Sequence, residues 1–193
     1  TTDGYKILSV GSSKTFPYND IFRNKIKQLI NGDGDKDAVA IELTKLHARA
    51  VEELIELSKE DRNSIDFIGF HGHTINHRPH EGITVQIGDG GLLAELTRIN
   101  VVNDFRSNDV KEGGQGAPLV PIYHQALMDL EPKPIAIVNI GGVSNVTWIG
   151  KSEGELLAFD TGAGNALLDD WVQAKTGENF DENGALAKSG VVD

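Results

Sequence analysis

Apolar positions recur along this chain with two different periods, and each period predicts its own elements. From Ile41 to Ser58, Leu43, Leu46, Ala50, Val51, Leu54 and Ile55 recur at helical spacing with Glu and Lys opposite, which predicts an amphipathic helix. Ahead of it, Asn19 or Asp20 is placed to cap a helix over Ile21 to Ile30, with Gly32 as its stop. Tyr5 to Val10 reads as a strand. After Asn63 and Ser64, Phe67 to Phe70, Thr84 to Ile87 and Val101 to Phe105 are short strand-like runs, and Leu92 to Leu96 reads as a helix. Pro121 to Leu130 carries a further helical pattern, and Pro132 and Pro134 then mark a lobe boundary. That divides the chain into a first lobe of 1–131 and a second of 132–193.

Beyond the boundary, Ile135 to Ile140 is almost uniformly apolar, which predicts a strand covered on both faces. Val146 to Ile149 and Leu156 to Asp160 follow as strands, then Ala166 to Lys175 as a helix ending near Gly177. Strands alternating with helices predict an α/β fold with mixed sheets flanked by helices.

Composition narrows the partners. The 193 residues hold 18 Lys and Arg against 29 Asp and Glu, a formal net charge of −11, with no dense basic run. Such a field repels a nucleic-acid backbone, so nucleic acid is not expected as a partner, whereas a small anion held by backbone amides is compatible. The absence of cysteine removes disulfides, zinc ribbons and thiol catalysis. No apolar run approaches the roughly 20 residues of a membrane helix. With no signal peptide visible, a cytoplasmic location is expected.

Two Gly-rich turns each follow an apolar strand: Asn139-Ile140-Gly141-Gly142-Val143-Ser144-Asn145 and Phe159-Asp160-Thr161-Gly162-Ala163-Gly164-Asn165. Glycine lets successive amides aim inward as an anion-binding concavity, and the helix expected after Asn165 would add its N-terminus. Either turn alone reads as a tight corner; the pair, one carrying a strand-end carboxylate, points to a phosphate site. Neither ends in Gly-Lys-Ser/Thr, so a Walker-type loop is absent. Asp160 reads either as a general base or water-mediated magnesium holder, or as the cap of the turn after it.

Four histidines, His71, His73, His77 and His80, fall within ten residues, but no carboxylate stands at a familiar zinc spacing and Arg78 interrupts them. His71 and Thr74 suit ligand contact at a strand end, while His77 and His80 read as solvated turn residues. Asp104, Arg106 and Asp109 combine both signs at another strand end, before Gly113-Gly114-Gln115-Gly116. Arg106 either grips a substrate carboxylate or phosphate or forms an internal Arg–Asp salt bridge. Asn31 to Glu42 resembles a calcium loop in its acidic spacing, but Lys36 occupies the position that needs glycine, so it reads as a solvated acidic loop.

The stretches HGHTINHRP, TVQIGDGGLLAELT, VVNDFRSNDVKEGGQGAPLVPIYHQAL, NIGGVSN, AFDTGAGNALLDDW and FDENGALAKSG resemble the anhydro-N-acetylmuramic acid kinases of peptidoglycan recycling. They cover most of Phe67 to Gly190, while residues 1–60 agree in pattern only. The resemblance implies an actin-like, ribonuclease-H-type fold of two lobes binding ATP and magnesium, and a possible homodimer. It also implies an unusual reaction: water opens the 1,6-anhydro bond of the sugar while the freed 6-oxygen receives the γ-phosphoryl group, giving N-acetylmuramic acid 6-phosphate and ADP. On the matching motifs, Asp160 is the implied base. Asn139, Gly141, Gly142, Asn145, Gly162 and Gly164 are implied to hold the nucleotide, and His71, Thr74, Asp104, Arg106 and Asn165 the sugar, with no side chain assigned as a metal ligand.

Members of that family open with a strand and a Gly-Thr-Ser-x-Asp-Gly phosphate loop, whereas this sequence starts at Thr1-Thr2-Asp3-Gly4 and stops at Asp193. The expectation is a partial member that lacks the loop and most of the C-terminal lobe. Two rival readings are a non-catalytic actin-fold fragment that binds a sugar or protein partner, and a metal-dependent hydrolase built on the histidines.

Overall fold

The computed structural model of the protein describes residues 6–191. Its contacts define two compact units, one of Ser9–Ala117 and one of 118–191 with residues 6–8. The helix after Pro121 therefore groups with the second unit, ahead of the Pro132–Pro134 boundary expected from sequence. Tyr5 lies outside the described residues. Lys6 to Val10 forms no strand beyond a single bridge at Ile7, so the expected Tyr5–Val10 strand is absent over its described part.

In the first unit, helix α1 (Asp20–Ile30) is capped by the Asn19 side chain, which accepts from the Phe22 amide. Helix α2 spans Lys36–Ser58 and begins earlier than the apolar spacing indicates. Asp35 caps it by accepting from the Ala38 amide at 3.0 Å, so the second half of the acidic Asn31–Glu42 segment is helix and not loop. Strands β1 (Phe67–Phe70) and β4 (Asn100–Asn103) pair in parallel. Between them in sequence lie β2 (His73–Arg78), β3 (Ile83–Ile87) and helix α3 (Gly90–Thr97). Strands β2 and β3 form an antiparallel hairpin across the Pro79–Glu81 turn. The polar sequence HTINHR gives no strand signal; cross-strand pairing with β3 makes it one. His77 is thereby a half-buried strand residue bonded to Thr84 at 3.0 Å, while His80 stays in the turn.

The core of this unit is Phe22, Ile26, Leu29, Val39, Leu43 and Ile87, flanked by Tyr18, Ala40, Leu46 and Ile75. Phe22 meets Tyr18 edge-on, with ring centroids 5.1 Å apart. Buried Thr44 on α2 donates to the Ala40 carbonyl and accepts from the Asp89 amide at 2.9 Å. Asp89 in turn caps α3, so one hydroxyl ties two helices together. The short helix α4 (Ser107–Lys111) follows β4 and packs on β3.

In the second unit, helix α5 (Pro121–Leu127) packs on an antiparallel sheet of β5 (Ile135–Ile140), β6 (Val143–Ile149) and β7 (Leu156–Ala163), with β6 central. Pairing across β5 and β6 puts Ile135 and Ile137 beside Ile149 and Thr147, on the face where His124 of α5 bonds Thr147 at 2.8 Å. Val138 and Ile140 point the other way and are each 59% exposed, so β5 is covered on one face only, against the two-faced burial its apolar run predicts. Helices α6 (Ala166–Thr176) and α7 (Ala185–Ser189) complete the unit, and Gly177 ends α6 in the left-handed region. No helix of the described residues is long and apolar enough to cross a membrane. The whole is a mixed α/β architecture.

Candidate functional site

The first unit carries a cavity of about 260 Å³ at the C-terminal ends of its parallel strands. Phe70, His71 and Gly72 follow from β1, Asn103, Asp104 and Ser107 from the end of β4 and the start of α4, and Thr84 to Gly88 from β3 and its exit. Strand ends of a parallel pair are where backbone groups lose their ladder partners, which leaves room for polar side chains to converge. Asp104 sits in the left-handed region at φ 56°, and its Oδ1 accepts from the Ser107 amide at 3.3 Å.

His71 and Asp104, both expected at the sugar, thus line one cavity. Arg106 supports it from behind. Its Nε donates to His71 Nε2 at 2.9 Å and its Nη1 to the Gly116 carbonyl, while His71 Nδ1 faces the Gly72 carbonyl at 3.0 Å. An acceptor at Nε2 requires the imidazole proton on Nδ1, which then donates to Gly72. Burial lowers the Arg106 guanidinium from its ordinary value. Among the described residues Arg106 meets no carboxylate, so the internal Arg–Asp bridge weighed from sequence does not form. Thr74 lies one step back, accepting at 3.2 Å from Gln86, whose side chain lines the cavity. Gln86, Asn103 and Ser107 are cavity residues that spacing alone did not single out; their signal was position within the TVQIGDGG and NDFRSND stretches.

The four histidines do not converge. Among the described residues no three His, Asp or Glu side chains are grouped to hold a metal ion. His73 is held below its ordinary value of 6.5, first by burial and then by the positive charge that His71 and His47 would carry. The unfolded chain therefore takes up a proton near pH 6.5 that the folded chain resists, so this contribution to stability is present above 6.5 and lost on acidification. Urea unfolding between pH 7.5 and 5.5 is expected to show a falling midpoint, with His73→Gln flattening the decline.

In the second unit the two Gly-rich segments are mostly strand. Only Gly141 and Gly142 form a turn, between β5 and β6, and the Asp160-Thr161-Gly162 segment is drawn into β7 by pairing of Ser144 with Gly162. A register shift at Ser144/Asn145 leaves Thr161 as the extra residue, its hydroxyl donating to the Ser144 carbonyl at 3.1 Å. Register then sets Asn139, Asn145 and Asp160 side by side across three strands. Neighbours in such a row have Cβ atoms about 5 Å apart.

The segments are also stitched together. The Gly164 amide donates to the Gly142 carbonyl at 2.9 Å, the Asn165 amide to Gly141 at 2.7 Å, and the Asn165 side chain to Ile140 at 3.0 Å. A Cβ at Gly164 would stand 2.2 Å from the Gly141 carbonyl oxygen, so only glycine allows this approach. The Gly164, Asn165 and Ala166 amides that lead into α6 are therefore engaged within the chain, and Asn165 braces the turn. No such partner meets the Gly142 amide, the Asn139 and Asn145 side chains or the Asp160 carboxylate among the described residues.

The chain is thus a mixed α/β protein with polar residues gathered at its strand ends, in one unit around a cavity and in the other around a glycine hairpin. It belongs to the anhydro-N-acetylmuramic acid kinase family, whose sequence profile matches residues 3–193. It is 50% identical over 191 residues to the anhydro-N-acetylmuramic acid kinase of Paramagnetospirillum magneticum, covering 99% of this chain and 54% of that protein. Over 150 residues it is 52% identical to the enzyme of the same name from Zymomonas mobilis, covering 78% and 41%, and over 205 residues 46% identical to that of Agrobacterium fabrum, covering 99% and 55%. The chain spans about half the length of the curated relatives it matches.

The open groups of the hairpin are of the kinds that can hold a phosphate group. Unpartnered amide donors at Gly142, Asn139 and Asn145 suit phosphate oxygens, and the Asp160 carboxylate suits a cation's water shell or a reacting water.

Proposed function

We propose that this chain is part of an ATP-dependent sugar kinase that opens the 1,6-anhydro ring of anhydro-N-acetylmuramic acid and phosphorylates its 6-oxygen. The observation that carries this reading is the row of Asn139, Asn145 and Asp160, with an unpaired carboxylate beside a glycine hairpin, in a chain of this family.

In the proposed reaction Asp160 accepts a proton from water. The water oxygen bonds to the anomeric carbon, and the bond from that carbon to the 6-oxygen breaks. The freed oxygen takes the γ-phosphoryl group, and ADP leaves. Asn139, Asn145 and the Gly142 amide orient the phosphates, and His71, Asp104 and Gln86 contact the sugar hydroxyls, with Arg106 holding His71 in place. Magnesium, brought with ATP, supplies charge neutralisation on the phosphates. Positioning and charge stabilisation carry most of such a transfer. The ligands are a small sugar and a nucleotide, and the location that goes with them is the cytoplasm.

The test is mass spectrometry of the sugar formed by the full-length enzyme with ATP and magnesium in oxygen-18 water. A 6-phosphorylated sugar carrying the heavy oxygen at its anomeric carbon is expected. Phosphorylation without incorporation, or no product from folded enzyme, would overturn the reading.

A further inference from the structure

Asp109 stands two residues after Ser107 of the cavity wall but does not itself line that cavity. Its Oδ2 accepts from the Gly116 amide at 2.6 Å, and its own carbonyl accepts from the Gly114 amide at 2.8 Å. The turn 113–116 is folded around this carboxylate. A Cβ at Gly114 would stand 2.2 Å from Asp109 Oδ2, and Gly116 is in the left-handed region at φ 62° with Val110 filling the space of its Cβ. Gly114 is thus required by the enclosed carboxylate, and Gly116 by its backbone conformation and the neighbouring Val110. The other end of the Gly116 residue, its carbonyl, accepts from Arg106 Nη1, and Arg106 Nε donates to His71.

We propose that Asp109 is a positioning residue that sets the tautomer and ring orientation of His71 at the sugar cavity, acting through the Gly113–Gly116 turn and the Arg106 guanidinium. The physical chain is short. A carboxylate holding the Gly116 amide anchors the residue whose carbonyl, in the following peptide unit, aims the guanidinium, and the fixed guanidinium offers Nε–H to His71. That donor forces the imidazole proton onto Nδ1, against Gly72, and leaves His71 one orientation in the cavity wall. Without the carboxylate the turn loses its internal acceptor, Arg106 its fixed partner, and the ring its reason to keep one tautomer. The role in catalysis rests on the function proposed above; the tautomer does not.

The test therefore reads the ring directly, by long-range proton–nitrogen NMR of the 193-residue chain with its histidine nitrogens assigned. In the unsubstituted protein His71 is expected with the proton on Nδ1. Asp109→Ala is expected to turn this single species into a mixture of both tautomers, and Asp109→Asn, which keeps an acceptor for Gly116, to restore it. If Asp109→Ala does not fold, Asp109→Ser, too short to reach the Gly116 amide, is expected to give the same mixture. A proton on Nε2 in the unsubstituted protein, or an unchanged tautomer in the folded Ala or Ser variant, overturns the proposal. In the full-length enzyme, Asp109→Ala is expected to lower kcat/KM for the sugar by about 10²-fold, the scale of a 1 Å misplacement. An enzyme that forms no labelled product would remove the proposed function while leaving the NMR result to decide Asp109 by itself.

Discussion

Asp160→Asn is expected to lower kcat of the full-length enzyme by about 10²–10⁴-fold, the usual contribution of a positioned general base. The amide keeps the shape of the side chain but cannot take a proton. The carboxylate is exposed on β7 and has no hydrogen-bond or charge partner among the described residues, so its loss leaves no buried group unsatisfied. Stability should accordingly change by no more than about 0.5 kcal/mol. Matching circular dichroism and urea midpoints, together with a collapse in product formation, would establish that the effect is chemical. Turnover within a few fold of the unsubstituted enzyme would remove Asp160 from the role of base and pass it to another group at the cavity or hairpin. KM for ATP is a useful second readout. A residue acting only on the water leaves it unchanged, while one that also holds a cation's water shell raises it.

The largest effect on stability is expected from Phe22→Ala. Phe22 is 1% exposed, touches Tyr18 edge-on and belongs to the same cluster as Ile87. Truncating a buried aromatic removes its transfer free energy and leaves a cavity, together about 3–5 kcal/mol. Against a total of about 5–15 kcal/mol this is a large share. With an m value near 2 kcal/mol per molar, the urea midpoint of the first unit should fall by about 2 M. A loss under about 1 kcal/mol would mean that the site collapses around the deletion or that the unit is held elsewhere. The substitution also reaches the candidate site, because Ile87 belongs both to the core and to the cavity wall. Weaker sugar binding at temperatures well below unfolding is the expected signature of that link.

Much of the molecule was legible from local pattern. The α2 stripe, the cap at Asn19 and the strands at Phe67 and Ile135 all follow from spacing and capping chemistry, because each depends on neighbours three or four residues away or on alternation within one segment. The Gly-rich segments were legible as places where backbone is exposed to chemistry, and the long ordered motifs identified the family. Where local pattern failed, pairing decided. HTINHR became β2 because β3 supplied its hydrogen bonds, and Thr161 to Ala163 became strand because β6 did. The short helix α4 was missed because Val110 is the single buried residue of its five, too little for a periodic signal.

By itself, then, the sequence determined the longer helices, most of the apolar strands, the acidic field and the residue types available for phosphate and sugar chemistry. Tertiary structure alone decided which of those residues meet. Asn139, Asn145 and Asp160 are separated by 6 and 15 positions and become neighbours through cross-strand register. His71 and Arg106, 35 positions apart, join because β1 and β4 pair in parallel and end together. Asp109 takes its place behind them because two glycines let a turn close over its carboxylate. Periodicity reports the environment of one segment, whereas a site is made of contacts between segments, and those are set only when the strands pair and the core closes.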